Sequence, residues 1–246
     1  MEFHFEPEGR KIICMHTLTH FRLCPFSRSI RVALAELGFE VALEEERPWE
    51  GRAQFLALNP AGELPILALA DGPMLCGAYA ISEYLGALPA DSLDNLPLVA
   101  MFPGQPDEQA EVRRLVDWFH RKFDREVTRE ILHEKVYARL RTGGEAHAPD
   151  AEVMRAIRAN LRYHLKYLEY LTNQRKWLAG DEFSFADIAA AAHLSSIDYL
   201  NEISWEAIPA AKSWYARVKS RRSMRAVLAD RLAGQPPPTH YANRDF

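Results

Sequence analysis

The sequence predicts an α/β domain followed by an all-α domain, and three observations lead to this prediction. In the first 88 residues, short apolar runs typical of strands alternate with stretches whose apolar residues recur at helical spacing. Residues 89–107 contain four prolines and no regular period, as linkers do. Beyond them, every periodic stretch is helical. The predicted parts are therefore 1–88, a linker at 89–107, a helical domain at 108–233 and a proline-led tail at 234–246.

The first part is predicted to follow the order β-α-β-α-β-β-α. Its first helix, at residues 25–37, has the clearest signals, because Pro25 suits a first helical position and Gly38 follows as a glycine just past the end. Asp71-Gly72 favours a hairpin turn between the last two strands. The remaining predicted strands are 12–17, 39–44, 64–70 and 74–76, and the remaining predicted helices are 52–58 and 78–88.

The second part is predicted to consist of helices alone. Ser184 and Asp187 stand three residues apart before an alanine-rich run, which is typical of a capping box with Asp in place of Glu. Helices are predicted at 108–140, 152–172, 184–203, 210–219 and 223–231.

Composition excludes several classes of function. Thirty Lys and Arg against 34 Asp and Glu give a net charge of -4, which argues against a nucleic-acid-binding protein with a broad basic face. No apolar run approaches the roughly 18 residues that a membrane span needs. Three cysteines form no disulfide framework, and nine histidines show no metal-ligand spacing. We therefore expect a cytoplasmic protein without metal, bound nucleic acid or membrane insertion.

The sharpest chemical motif is Cys24-Pro25-Phe26-Ser27. A thiol directly before a helix faces unpaired backbone N–H groups and the positive end of the helix dipole, so we expect a lowered pKa and a nucleophilic sulfur. Because Ser27 occupies the second cysteine position of such motifs, Cys24 would form mixed disulfides with another molecule. The alternative is that Cys24 is a small residue that fits a tight turn.

Pro65 stands at the entrance to a predicted strand, where a proline removes a ladder hydrogen bond. A cis Leu64–Pro65 bond would turn the backbone of Leu64 outward, free to pair with an extended peptide ligand. Only about 5–6% of X-Pro bonds in folded proteins are cis, so the residues alone do not select this geometry.

Four segments of the chain match a known family in their order and spacing. They are Cys24-Pro25-Phe26-Ser27, Asn59-Pro60-Ala61-Gly62-Glu63-Leu64-Pro65, Ala80-Ile81-Ser82-Glu83-Tyr84-Leu85 and Ser184-Phe185-Ala186-Asp187. Together they resemble the glutathione S-transferase family over nearly the whole chain. The resemblance implies a thioredoxin-like first domain, an all-helical second domain, a cis Pro65, a homodimer and a glutathione site beside the first helix. Cys24 would take the nucleophile position of cysteine-using members such as the omega class.

The chain departs from this family at Gly77-Ala78. Active members usually carry an acidic or amide residue followed by serine there, and these side chains bind the γ-glutamyl carboxylate. A hydrogen bond to a charged group contributes roughly 1.5–3 kcal/mol, so its loss weakens glutathione binding about tenfold or more. We expect no cofactor and a vestigial site, with weak glutathione binding through the helix N-terminus alone. The alternative is that Gly77 and Ala78 are a harmless variation that does not impair glutathione binding. The vestigial site comprises Cys24, Leu64, Pro65, Gly77 and Ala78.

Two segments have no place in a glutathione enzyme. Arg47 and Trp49 share a proline-containing loop, and Arg and Trp are among the residues most enriched in interface hot spots. The tail begins with three prolines, which stiffen an extended segment that a partner could bind. We interpret both as partner-binding, the alternatives being a Trp49 folded back on its domain and a disordered tail. The tail residues assigned to this role are Tyr241, Arg244, Asp245 and Phe246.

These two segments, with residues 24–31 and 76–78, resemble the transferase-like division proteins of alphaproteobacteria, which bind the tubulin-like protein FtsZ. The resemblance implies a cytoplasmic homodimer at the division site that binds FtsZ filaments, and other division proteins through its tail, without glutathione chemistry. The competing interpretation is a cysteine-type, omega-like glutathione transferase or thiol transferase. In that enzyme Cys24 would be the nucleophile, while the Leu64 backbone and the start of the third helix would hold glutathione.

Overall fold

The computed structural model describes residues 16–89, 99–141 and 148–243. Its first domain is a four-stranded sheet in the order β2-β1-β3-β4, in which β1 and β2 are parallel and the other two pairs antiparallel. The predicted α/β class and the β-α-β-α-β-β-α order are confirmed. The strands are β1 (His16–His20), β2 (Val41–Glu45), β3 (Ile66–Ala68) and β4 (Met74–Cys76), and the helices are α1 (Pro25–Glu36), α2 (Ala53–Leu58) and α3 (Ala78–Gly86).

The first strand lies further along the chain than predicted. The apolar run at 12–15, which lies outside the described residues, drew the prediction to 12–17, whereas β1 continues to His20. The segment His16–His20 is mostly polar, yet Leu18 and His20 are both buried in it. Burial lowers the pKa of His20 to about 4, so this imidazole is neutral at physiological pH. A strand that buries polar residues gives no apolar signal in the sequence.

The second domain is all-helical, as predicted. Its first part is one long helical column in which two π-helical stretches, Trp118–Thr128 and His133–Tyr137, connect three α-helical parts. Among the described residues, no helix is both long and apolar enough to cross a membrane. The α-helices are α4 (Pro106–Asp117), α5 (Arg129–Leu132), α6 (Ala138–Leu140), α7 (Ala151–Gln174), α8 (Phe185–Tyr199), α9 (Pro209–Ser220) and α10 (Met224–Leu228).

Helix α8 forms the centre of the second domain, and all of its residues are buried. The predicted capping box between Ser184 and Asp187 is confirmed. Asp187 also accepts hydrogen bonds from the backbone of Leu178 at 2.9 Å and from the Trp214 indole at 2.8 Å. The helix ends at Tyr199, earlier than the predicted 203, because Asn201 adopts a left-handed φ of 59°.

The two domains meet where α1 packs against α8. Ser196 donates a hydrogen bond to the carbonyl of Leu23 at 2.9 Å, just before the start of α1. Ser195, its neighbour on α8, accepts a hydrogen bond from the guanidinium of Arg28 at 2.8 Å. Helix α1 therefore has one side on the second domain, while its first residue faces the opening between the domains.

Candidate functional site

A cleft of about 750 Å³ separates the two domains beside the start of α1. Its walls come from the starts of α1 and α3, the loop before β3 and the long helical column. Of the five residues assigned to the vestigial site, the cleft brings together Cys24, Leu64, Gly77 and Ala78, while Pro65 adjoins Leu64 without lining the wall. The residues predicted from sequence therefore do meet in one place.

The Leu64–Pro65 peptide bond is cis. The carbonyl of Pro65 accepts a hydrogen bond from the backbone N–H of Gly77 at 2.9 Å, which holds the start of α3 against the strand that follows Pro65. The residues alone did not decide between a cis and a trans bond, and the structure has the cis bond.

Backbone conformation explains the glycine at position 77. Gly77 is the N-cap of α3 with a φ of 85°, a region that favours glycine, although a Cβ there would meet no atom within 4 Å. No side chain caps the helix at this point, and the methyl group of Ala78 is nearly buried. At positions 77 and 78 the start of α3 thus offers the cleft backbone groups and no polar side chain.

The predicted lowering of the pKa of Cys24 is wrong. Cys24 is the N-cap of α1, as expected, and its sulfur accepts a hydrogen bond from the Ser27 N–H at 3.5 Å. The thiol is nevertheless buried, and this burial raises its pKa because the lost hydration outweighs the hydrogen bonds from the helix end. Cys24 is therefore a protonated thiol at physiological pH.

The basic residues of α1 point away from the thiol. Arg28 is completely buried, and its guanidinium donates to the Arg22 carbonyl at 2.6 Å, to Ser195 at 2.8 Å and to the Tyr241 hydroxyl at 3.0 Å. Arg31 makes a two-pronged contact with Asp230 at 2.7 and 3.1 Å. Arg28 holds the second domain and the tail, and Arg31 holds the second domain, so neither adds positive charge to the cleft.

The assignment of Tyr241 to a partner surface is wrong, because its side chain is fully buried. Its ring packs edge-on against Tyr199 at 5.2 Å, and its hydroxyl accepts from Arg28. Next to it, His240 lies 3.0 Å from Asp198. The described tail is therefore docked on the second domain, and the other three tail residues of the assignment, Arg244, Asp245 and Phe246, lie outside the described residues.

Trp49 folds back on the protein, which is the alternative left open for it. Its ring stacks on Tyr137 at 4.6 Å and meets Phe21 edge-on at 4.9 Å, so it bridges the two domains. Arg47 is exposed and pairs with Glu50 at 3.4 Å. A partner role stays a prediction for Arg47 and for the exposed part of Trp49.

Sequence reasoning missed the cleft residues of the long column. Asp124 lines the cleft half-buried, and this burial raises the pKa of its carboxyl to about 7. His120 also lines it and lies 3.0 Å from His193, and burial lowers its pKa to about 3. Nothing in a long charged helix distinguishes one aspartate from its neighbours, so only the packing identifies Asp124.

The chain belongs to the glutathione S-transferase family. The family's N-terminal domain matches residues 23–88 and its C-terminal domain matches residues 133–222. Among its relatives, FtsZ-localized protein A of Caulobacter vibrioides is 43% identical over 233 residues, which cover 94% of this chain and 98% of that protein.

Two solved structures are similar over nearly their full length. FzlA from C. crescentus is 42% identical with a TM-score of 0.85, and the match covers 94% of this chain and 100% of that one. A glutathione S-transferase from Sinorhizobium meliloti 1021 is 44% identical with a TM-score of 0.86, at the same coverage.

Proposed function

We propose that this protein binds FtsZ filaments at the division site as a cytoplasmic homodimer and regulates constriction without glutathione chemistry. The observation that carries the proposal is the 43% identity with FtsZ-localized protein A, which extends over 94% of the chain. A match of that length spans both domains, whereas the fold alone is compatible with many functions.

The chemistry of the cleft supports the non-catalytic part of the proposal. Gly77 and Ala78 place no polar side chain where a glutamyl carboxylate would lie. Cys24 is protonated, and only a thiolate is an effective nucleophile. Arg28, the nearest buried cation on α1, is engaged by the second domain and the tail.

Two exposed features are the proposed contacts with FtsZ. Arg47 offers a guanidinium beside the exposed part of Trp49, a pairing typical of interface hot spots. Tyr241 anchors the tail to α1 through Arg28 and to α8 through Tyr199, so a partner that binds the tail would bind beyond it, at residues 244–246. Other division proteins are proposed to bind there as well.

Co-sedimentation with polymerised FtsZ tests this proposal. We expect the wild-type protein to pellet with filaments, and Arg47→Glu and a deletion of residues 244–246 each to lower the pelleted fraction several-fold. Arg155→Glu, which makes the same charge change at an exposed position of α7, is the matched control and should pellet as the wild type does. The proposal fails if the wild-type protein stays in the supernatant.

The second candidate is a cysteine-type glutathione transferase, favoured by the position of Cys24 at the cleft and by the similarity to the Sinorhizobium enzyme. Isothermal titration with glutathione separates the two functions. We expect no binding in the micromolar range. Micromolar binding together with turnover that Cys24→Ala abolishes would establish the enzyme instead.

A further inference from the structure

The charged side chains around the cleft fall into two sets, one paired and one unpaired. The paired set contains all four arginines that line the cleft. Each of them already contacts a carboxylate on the protein itself, which offsets part of its attraction for an anionic ligand. The pairs are Arg113–Glu83 at 3.0 Å, Arg121–Asp117 at 2.6 Å, Arg125–Glu126 at 3.4 Å and Arg129–Glu130 at 3.2 Å.

The unpaired set is acidic. Glu63 and Asp124 both line the cleft, and within the described parts of the chain neither carboxylate has a hydrogen bond or an ion pair. Burial is the main cause that raises the pKa of Asp124, and the charges of Glu130 and Glu63 add to it. Arg129 lowers this pKa from a distance, since its guanidinium contacts Glu130. A half-buried carboxylate without a partner is costly, and a cation is the ligand that removes this cost.

Aromatic side chains form part of the remaining wall, beside aliphatic ones such as Leu64, Val116 and Leu132. Phe21, Phe26, Phe102 and Tyr137 all line the cleft. The guanidinium of Arg113 lies 4.4 Å from the centroid of the Phe102 ring, so this wall already holds one cation against an aromatic face. The Tyr137 hydroxyl has no hydrogen-bond partner among the described residues, and it interacts electrostatically with both Cys24 and Asp124. It is a second polar group that a ligand could satisfy.

We propose that the cleft binds an organic cation, a protonated amine on an apolar or aromatic body, with its ammonium at Asp124. The apolar body lies against the aromatic wall, and a volume of about 750 Å³ is ample for a molecule of that kind. An anion of the glutathione type would instead meet two carboxylates and no free arginine. The proposal concerns the cleft alone and does not depend on FtsZ binding.

Three probes of nearly the same shape and different charge test it: benzylamine, benzyl alcohol and benzoate. In NMR titrations at pH 8, where Asp124 is ionised, we expect benzylamine to bind about tenfold more tightly than benzyl alcohol and benzoate not to bind. Asp124→Asn should weaken benzylamine about tenfold and leave benzyl alcohol unchanged. Asp71→Asn, in an exposed turn, is the matched control and should change neither.

Equal binding of benzylamine and benzoate to the wild-type protein would overturn the proposal, and this comparison needs no variant. An Asp124→Asn protein that binds benzylamine as the wild type does would overturn it too. Co-sedimentation of Asp124→Asn with FtsZ should match the wild type, which keeps the two proposals separable.

Discussion

The two sides of helix α1 differ in how their polar groups are satisfied. On the side of the second domain, Arg28 and Arg31 are buried and each contacts several oxygens of α8, α10 or the residues that follow them. At its N-cap, Cys24 faces a cleft in which the carboxylates of Glu63 and Asp124 have no partner among the described residues. The basic residues of α1 therefore hold the two domains together and do not bind an anionic ligand.

Burial explains why both sides are stable. A fully buried charge is tolerated only when other groups replace its lost water. Around Arg28 three hydrogen bonds do so, together with the Asp230 carboxylate 3.7 Å from Nη2. Asp124 has no such partners in the described parts of the chain, but it is only half-buried, and its raised pKa of about 7 lets it remain protonated over much of the acidic range. The buried charge of Arg28 is thus compensated by its partners, whereas the cost of burying Asp124 is avoided by protonation.

The largest expected effect comes from breaking the paired side. Arg28→Ala removes three hydrogen bonds and leaves the Tyr241 hydroxyl without its donor, so we expect a loss of about 3 kcal/mol in the free energy of unfolding, measured by urea denaturation. Arg155→Ala, at an exposed position, should cost less than about 0.5 kcal/mol. Similar losses in both variants would show that the buried contacts contribute nothing.

A smaller effect is expected from one contact of the same network. Tyr241→Phe keeps the ring packed on Tyr199 but removes the acceptor of the Arg28 hydrogen bond, so we expect a loss of about 1–2 kcal/mol. Combining it with Arg28→Ala in a double-mutant cycle sharpens the test, because the two losses should then be less than additive. Full additivity would indicate that the hydrogen bond is absent in solution.

The smallest effect belongs to the cleft side and has the opposite sign. The pKa of Asp124 is raised from 3.8 to about 7, so its contribution to stability is present at low pH and is lost as the pH rises through 7. Asp124→Asn cannot ionise, so it should stabilise the protein at pH 8 by about 1 kcal/mol relative to its effect at pH 6. Urea denaturation at the two pH values measures this, and a destabilised variant at pH 8 would reveal an ion pair to Asp124.

Local signals made much of the fold predictable. Pro25 and Gly38 bracket α1 within one residue of its observed end, and Ser184 and Asp187 mark the start of α8. The site was predictable only in outline. Cys24 was located correctly, but its pKa depends on burial by distant segments. Tyr241 pairs with a residue 213 positions away, and no local pattern encodes such a contact.

The bond between Arg28 and Tyr241 also has a mechanical consequence. It ties the last described turn of the chain to the first helix, and the same guanidinium touches α8 at Ser195. Tension applied beyond Asn243 would therefore reach α1 through this bond, and α8 and α9 through the contacts of His240 with Asp198 and Lys219.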